Sequence, residues 1–359
     1  MKSKDLIQRF RHARTRPAEA ARRFLVRTFL LLLGIDFSKQ TEIQYVELGF
    51  FDSKIFKKSL ISKPDNITFS SNDFKFEHGF NSKYQIEISN VIVNTKLNHI
   101  YVTETNKRKF SFLKESSSWS AENLIIFSPS PNRKILQVIE NAKLGLPNSG
   151  HYHWVSEDLP NYLMDNSKYE TLAYLYGSEK SKEILNKLGV RYIDVNEWVF
   201  VKNLSFVTKS NELGYIHPKS IRALVNFQNQ IGLNALNGSK NFYISRTRTR
   251  RSPIWEKDLE KRLFEKGFEI IYAEELSFLN QIELFRDAKN IIGVHGAGLT
   301  NAIWSANCSL IELMPSYRIN RCIEWQAKIL NGKYERICFD PKVTKLSDIT
   351  KGLDALIRQ

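Results

Sequence analysis

Three cysteines (Cys308, Cys322 and Cys338) in 359 residues exclude a paired disulfide framework, and none has the spacing of a zinc site. They read as buried apolar thiols in a reducing compartment. Long apolar runs are missing as well. Residues 24–35, FLVRTFLLLLGI, contain Arg27 and number only twelve, too few to cross a bilayer. That stretch also lacks the small-residue cleavage site of a signal peptide. Without a secretory signal, the Asn-x-Ser/Thr triplets at Asn66, Asn203, Asn237 and Asn307 read as chance. No internal repeat, low-complexity segment or Asp-x-Asp triplet occurs.

Acidic residues are the scarcer sign of charge: 38 Asp+Glu face 53 Lys+Arg, a formal balance of +15. Residues 1–39 hold ten basic and three acidic side chains, a difference of +7, so about half of the excess lies in the first tenth of the chain. A basic arm beside a leucine-rich stretch fits an interfacial helix whose apolar side enters a leaflet while arginines meet acidic headgroups. A terminal helix packed on the protein body is the alternative. Nucleic-acid binding would call for a basic patch interleaved with aromatics on one face, which this distribution does not give.

The length accommodates more than one domain. Residues 1–40 form the basic arm, 41–215 an N-terminal domain and 216–359 a C-terminal one. The first half is strand-rich, with a hairpin expected around residues 94–101, strands at 171–175 and 199–207, and a helix at 180–188. After His217 a regular alternation begins. Helices are expected at 220–231, 256–266, 277–288, 299–306, 319–330 and 347–357, and strands at 242–245, 269–272, 291–294, 310–313 and 336–339. That rhythm predicts an α/β fold with a doubly wound parallel sheet.

The run NIIGVHGAGLTNAIWSANCSLIELMP, residues 290–315, is the most informative in the chain. It reads as strand, glycine turn (His295, Gly296, Ala297, Gly298), helix and strand. Backbone N–H groups of the turn, with the helix behind them, suit a phosphate. Glu312, on the next strand, is placed to hold ribose hydroxyls. The expected result is a nucleotide site at the carboxyl ends of parallel strands. A nicotinamide site would want G-x-G-x-x-G after the first strand, whereas these glycines come late and read G-x-x-G-x-G.

Four elements, HYHWVSEDLPNYL, NFYISRTRTRR, QIELFRDAKNIIGVHGAGLTN and SLIELMP, resemble glycosyltransferase family 61 in order and spacing, over roughly residues 145–340. The resemblance implies a GT-B architecture, with two Rossmann-like domains facing across a cleft and the nucleoside-diphosphate sugar held mainly by the C-terminal one. It also implies transfer with inversion, without a cofactor or an essential metal. Ser245 and Arg246 match the family's S-R. His295, Gly296, Ala297, Gly298 and Asn301 match its glycine turn, Glu312 and Pro315 its carboxylate strand, and His153, Trp154, Leu159 and Pro160 its H-W…L-P element. The chain departs from the family pattern in having Trp255 and Glu256 where an Asn usually follows the arginines. Glu157 and Asn161 also stand where Asp and a basic residue are usual.

Such a transfer needs the leaving diphosphate stabilised and the acceptor hydroxyl deprotonated. Arg246 is the first candidate for the diphosphate and Arg250 or Arg251 the second, since a guanidinium fork fits phosphate oxygens; Arg248 reads as solvated. His295 either donates to the diphosphate, lies against the donor sugar, or is a structural histidine. Asn301 either contacts the donor or holds the loop. The base is one of His153, Glu157 and Asp158; on a helix the first two share a face. Trp154 is more often core than a sugar platform. The acceptor is then a glycan or lipid-linked glycan of a bacterial surface polysaccharide, met at the cytoplasmic face of the membrane through residues 1–40. A relative that binds sugar nucleotide without transferring it is the alternative.

Overall fold

A computed structural model describes residues 56–62, 65–70, 75–80, 83–94, 99–102, 137–146, 150–174, 179–195, 198–207, 215–249, 251–317 and 319–357. The basic arm and Arg250 lie outside the described residues. Among the described residues no helix is long and apolar enough to cross a membrane.

The first sheet has seven strands: β1 (Phe56–Ser62), β4 (Lys83–Asn94), β5 (His99–Val102), β6 (Val138–Lys143), β7 (Glu170–Tyr174), β8 (Tyr192–Val195) and β9 (Trp198–Val207). A separate hairpin pairs β2 (Asp65–Ser70) with β3 (Lys75–Phe80). The order of the main path is β1-β4-β9-β6-β7-β8, with β5 beside β4. Strands β6 to β9 pair in parallel, while β1, β4 and β5 are antiparallel. The β4–β5 hairpin falls where the sequence predicts it. This sheet is therefore only partly Rossmann-like: parallel where helices α1 and α2 make the crossovers, antiparallel in the β4–β5 hairpin and where β4 pairs with β1 and with the distant β9.

Helix α1 is a composite of His151–His153, a π-helical turn Trp154–Asp158, and Leu159–Met164. Pro160 accounts for the wide turn. It lacks an N–H for the carbonyl four residues back, and its ring crowds that carbonyl. The Leu159 N–H bonds instead to the Trp154 carbonyl, five residues back. Helix α2 (Glu179–Lys187) follows.

The second sheet has five strands, all parallel: β10 (Lys240–Ile244), β11 (Glu269–Ile271), β12 (Ala288–Val294), β13 (Ser309–Pro315) and β14 (Lys333–Phe339), in the order β11-β10-β12-β13-β14. Its side chains alternate as a two-faced strand demands. Phe242, Ile244, Ile291 and Leu310 point into one core, and Tyr243, Ile292, Val294, Ile311 and Leu313 into the other. Helices α4 (Glu256–Glu265) and α7 (Leu346–Ile357) cover the second face. Helices α3 (Pro218–Gln230), α5 (Phe278–Phe285) and α6 (Cys322–Ile329) cover the first. Mixed α/β with parallel strands in both main sheets is thus the observed class.

The segment after the glycine turn, expected as an α-helix, is a 3-10 helix, Ala297–Trp304. Neighbouring helices take its carbonyls: Gln326 donates to Thr300 O (3.0 Å) and Gln228 to Trp304 O (2.8 Å). Residues 299–304 are all buried, so packing and these glutamines set the backbone.

The largest apolar core is shared. Trp154, Val155 and Leu159 of α1 join Phe242, Ile291, Phe278 and Trp304. Trp154 is wholly buried, edge-on to Phe278 at 4.6 Å. It is a core residue, as the bland reading of its type holds. The α1 element therefore packs directly on the helical layer of the second sheet, against α3 and the 3-10 helix. The cysteines differ from the uniform expectation: Cys308 and Cys322 are buried, while Cys338 is exposed.

Candidate active site

Strand order locates the site. In β11-β10-β12-β13-β14 the chain runs outward in opposite directions from β10 and β12, so a crevice opens beyond their carboxyl ends. Arg246 follows β10, and His295, Gly296, Ala297 and Gly298 follow β12. The Arg246 guanidinium donates to the His295 carbonyl. It also lies on Gly296, where an added Cβ would sit 3.0 Å from Nη1. At Gly298 a Cβ would come within 2.9 Å of Ile244. Both positions are thus tight, one against a guanidinium and the other against the sheet. Ala297, between them, is exposed.

Two glutamates hold the arginine loop: Glu256, which the sequence marks only as a departure from the family pattern, and Glu260, which it does not mark. Glu256, wholly buried at the first turn of α4, accepts from the Arg246 N–H (2.7 Å), the Tyr243 hydroxyl (2.9 Å) and the Ser252 hydroxyl (2.7 Å). Glu260, one turn on, accepts from the Ser245 and Thr247 hydroxyls. The signal was present: two carboxylates four apart, opening a helix after a Ser/Thr/Arg-rich loop. Removing one leaves several buried donors unsatisfied. Glu256→Ala is expected to cost on the order of 3 kcal/mol, read as a lower urea midpoint at unchanged slope. An unchanged midpoint would show that the loop does not depend on it.

Burial, then the neighbouring Arg251, pulls the Arg246 guanidinium below its ordinary range. A cation shielded from water next to a second one is poised for an anion. Arg251 is exposed. Arg248 is not bare: it pairs with Glu275 and stacks over Tyr272, 3.7 Å from the ring centre.

His295 and Glu312 are not independent contacts. Nδ1 of His295 meets Glu312 Oε1 at 2.6 Å, and Tyr334 donates to Glu312 Oε2 at 2.6 Å. Glu312 is wholly buried, whereas the His295 side chain retains 21% exposure. Both carboxylate oxygens of Glu312 are thus engaged inside the protein. Asn301 is also wholly buried, donating to Gln281 (2.7 Å) and accepting from Trp304 (3.2 Å).

A second histidine–glutamate pair lies on α1. Nδ1 of His153 meets Glu157 Oε1 at 3.2 Å, with the histidine side chain 22% exposed and that of Glu157 6%. Asp158 is buried. Of the three base candidates, His153 alone keeps an appreciable exposed surface. His151 is a poorer one, because burial, then Lys180, pulls its imidazole down to about 4. The two pairs are neighbours. The Tyr152 ring packs edge-on to His153 at 5.6 Å and its hydroxyl meets Cys322, which lies beside Glu312. Burial, then Glu312, pushes the Cys322 thiol up to about 12, so it serves as a neutral contact and not a nucleophile. Among the described residues no cluster of three or more His, Cys, Asp or Glu could hold a metal ion.

Residues 151–311 match the family model Glycosyltransferase 61. The span begins at the HYHW element and takes in the arginine loop and the glycine turn, somewhat short of the stretch that carries the four elements. No curated protein matches the chain. The family implies glycosyltransferase activity, with a sugar donor and an acceptor as partners.

Proposed function

We propose, for a chain whose residues 151–311 belong to glycosyltransferase family 61, that it transfers a hexosyl or pentosyl group from a nucleoside-diphosphate sugar to a glycan or lipid-linked glycan with inversion. In this reading the acceptor oxygen forms its bond to the anomeric carbon as the bond to the diphosphate oxygen breaks. The diphosphate keeps the electron pair, and the acceptor proton passes to the base. His153, oriented through Nδ1 by Glu157, is that base. Arg246, Arg251, His295 and the N–H groups around Gly296–Gly298 receive the diphosphate, with Arg250 beside them in sequence.

The observation that carries the reading is the Arg246 guanidinium seated on Gly296 and bonded to His295. It joins two separated family elements at the crevice where open parallel sheets bind ligands. Residues 1–40 supply the contact with an anionic membrane, at the inner face of a bacterial cell where surface polysaccharide is assembled.

A panel of nucleoside-diphosphate sugars should contain one that raises the melting temperature, as mass action requires of a ligand bound to the folded state. The same donor should then be consumed in a transfer or slow hydrolysis assay. Stabilisation without turnover would leave a binding protein. Tight DNA binding with no nucleotide affinity would overturn the reading.

A further inference from the structure

We propose that Glu312 and Tyr334 are positioning residues that hold His295 toward the departing diphosphate. The inference rests on the glycosyl-transfer reading above and reassigns Glu312 from donor contact to support. Three observations carry it. The chain Tyr334–Glu312–His295 runs across adjacent strands and ends on the loop after β12, with both links at 2.6 Å. Its middle member, Glu312, is inaccessible, while the His295 side chain at the site end is 21% exposed. And the His295 carbonyl is the group that Arg246 grips, so imidazole and guanidinium are fixed to one piece of backbone.

The chemistry follows from the imidazole's two nitrogens. With Nδ1 committed to Glu312, Nε2 is the atom left for a ligand. A buried carboxylate accepting from Nδ1–H fixes ring orientation and stabilises the imidazolium, as it does in hydrolase triads, and the Nε2–H of that form donates to a diphosphate oxygen. Tyr334 keeps the second carboxylate oxygen occupied. Burial, followed by Glu312, pushes its phenol well above the ordinary range, so it remains a hydrogen-bond donor. The other charged or titratable groups nearby are Arg246, Cys322, Glu324 and Arg336, and Arg336 already has Glu324 as a partner.

The test uses the full chain and the variants Glu312→Gln, Tyr334→Phe, His295→Ala and the double variant His295→Ala/Glu312→Gln. Ligand probes are ADP, GDP, UDP and CDP with their 2′-deoxy forms; turnover uses the sugar nucleotide that stabilises the wild type. Glu312→Gln should lower kcat by roughly 10²-fold or more, and Tyr334→Phe by roughly tenfold, at unchanged melting temperature. The double variant should be no slower than His295→Ala, because Glu312 acts through the histidine. Preference for ribose over deoxyribose should be the same in Glu312→Gln as in the wild type.

Loss of that preference would return Glu312 to the ribose and overturn the proposal. So would additive losses in the double variant, or wild-type kcat in a folded Tyr334→Phe, which remains informative if Glu312→Gln does not fold. Normal turnover with those results would sink the relay alone. A wild type that binds none of the nucleotides would sink the transfer reading together with it.

Discussion

Replacing His153 by alanine is expected to lower kcat by roughly 10²- to 10⁴-fold, the range for losing a positioned general base, while donor affinity stays unchanged. The reason lies in which members of the α1 triplet can reach an acceptor. Glu157 and Asp158 are buried in the π-helical turn, and Glu157 faces back onto the imidazole. His153 keeps its Nδ1 on the carboxylate and exposes part of its ring. Glu157→Gln should then also slow turnover, by less, since the amide oxygen still accepts from Nδ1 but carries no charge for the imidazolium that forms. The measurement is a steady-state split of kcat and KM with the stabilising donor, together with its binding constant. Full activity in a folded His153→Ala protein would move the base elsewhere. Strong loss in Glu157→Gln with none in His153→Ala would make the glutamate the base instead.

Arg246→Ala is expected to lower kcat/KM by on the order of 10²- to 10³-fold, the cost of one preorganised donor on developing charge. Arg246→Lys should not restore it. A single ammonium cannot both bond the His295 carbonyl and offer a fork to phosphate oxygens. Gly296→Ala tests the same contact from the other side. Its new Cβ would stand 3.0 Å from Nη1 and 3.2 Å from Cζ of Arg246. Because the atoms met are the far end of a flexible side chain, the fold should tolerate the change with little loss of stability. The guanidinium, however, must shift by a few tenths of an ångström from its place on the His295 carbonyl. Activity that falls in Gly296→Ala at an unchanged melting temperature is the expected result. Wild-type kcat/KM in both Arg246→Ala and Gly296→Ala would remove the arginine from the diphosphate site.

How much of this was legible in the chain differs by element. The alternation after His217 was readable because each buried strand is a short apolar run and each helix carries a periodic face. Boundaries then moved by only a few residues at most elements, as with β10 at Lys240–Ile244 and α4 at Glu256–Glu265. The 3-10 conformation of Ala297–Trp304 was not readable, because it depends on Gln228 and Gln326, glutamines from helices far away in sequence. The mixed character of the first sheet was hidden for a similar reason. Strand direction follows from pairing, and β4 pairs with β9 across more than a hundred residues.

The sequence by itself determined the local chemistry: a glycine turn after a buried strand, an arginine cluster after another, a His-x-x-x-Glu spacing, and an absence of metal-ligand motifs. Those follow from residue type and short spacing, which survive any arrangement of the rest. Only the tertiary structure decided how these pieces meet. Parallel pairing of β10 with β12 puts Arg246 on Gly296, and pairing of β12, β13 and β14 sets Glu312 between Gly293 and Arg336, within reach of His295 on one side and Tyr334 on the other. Packing of α1 on the same helical layer brings its first turn, with His153, against the 3-10 helix that follows the glycine turn. Glu312 illustrates the difference: on a strand end it reads as a ligand contact, and only the fold shows that it is inaccessible, with a histidine on one carboxylate oxygen and a tyrosine on the other.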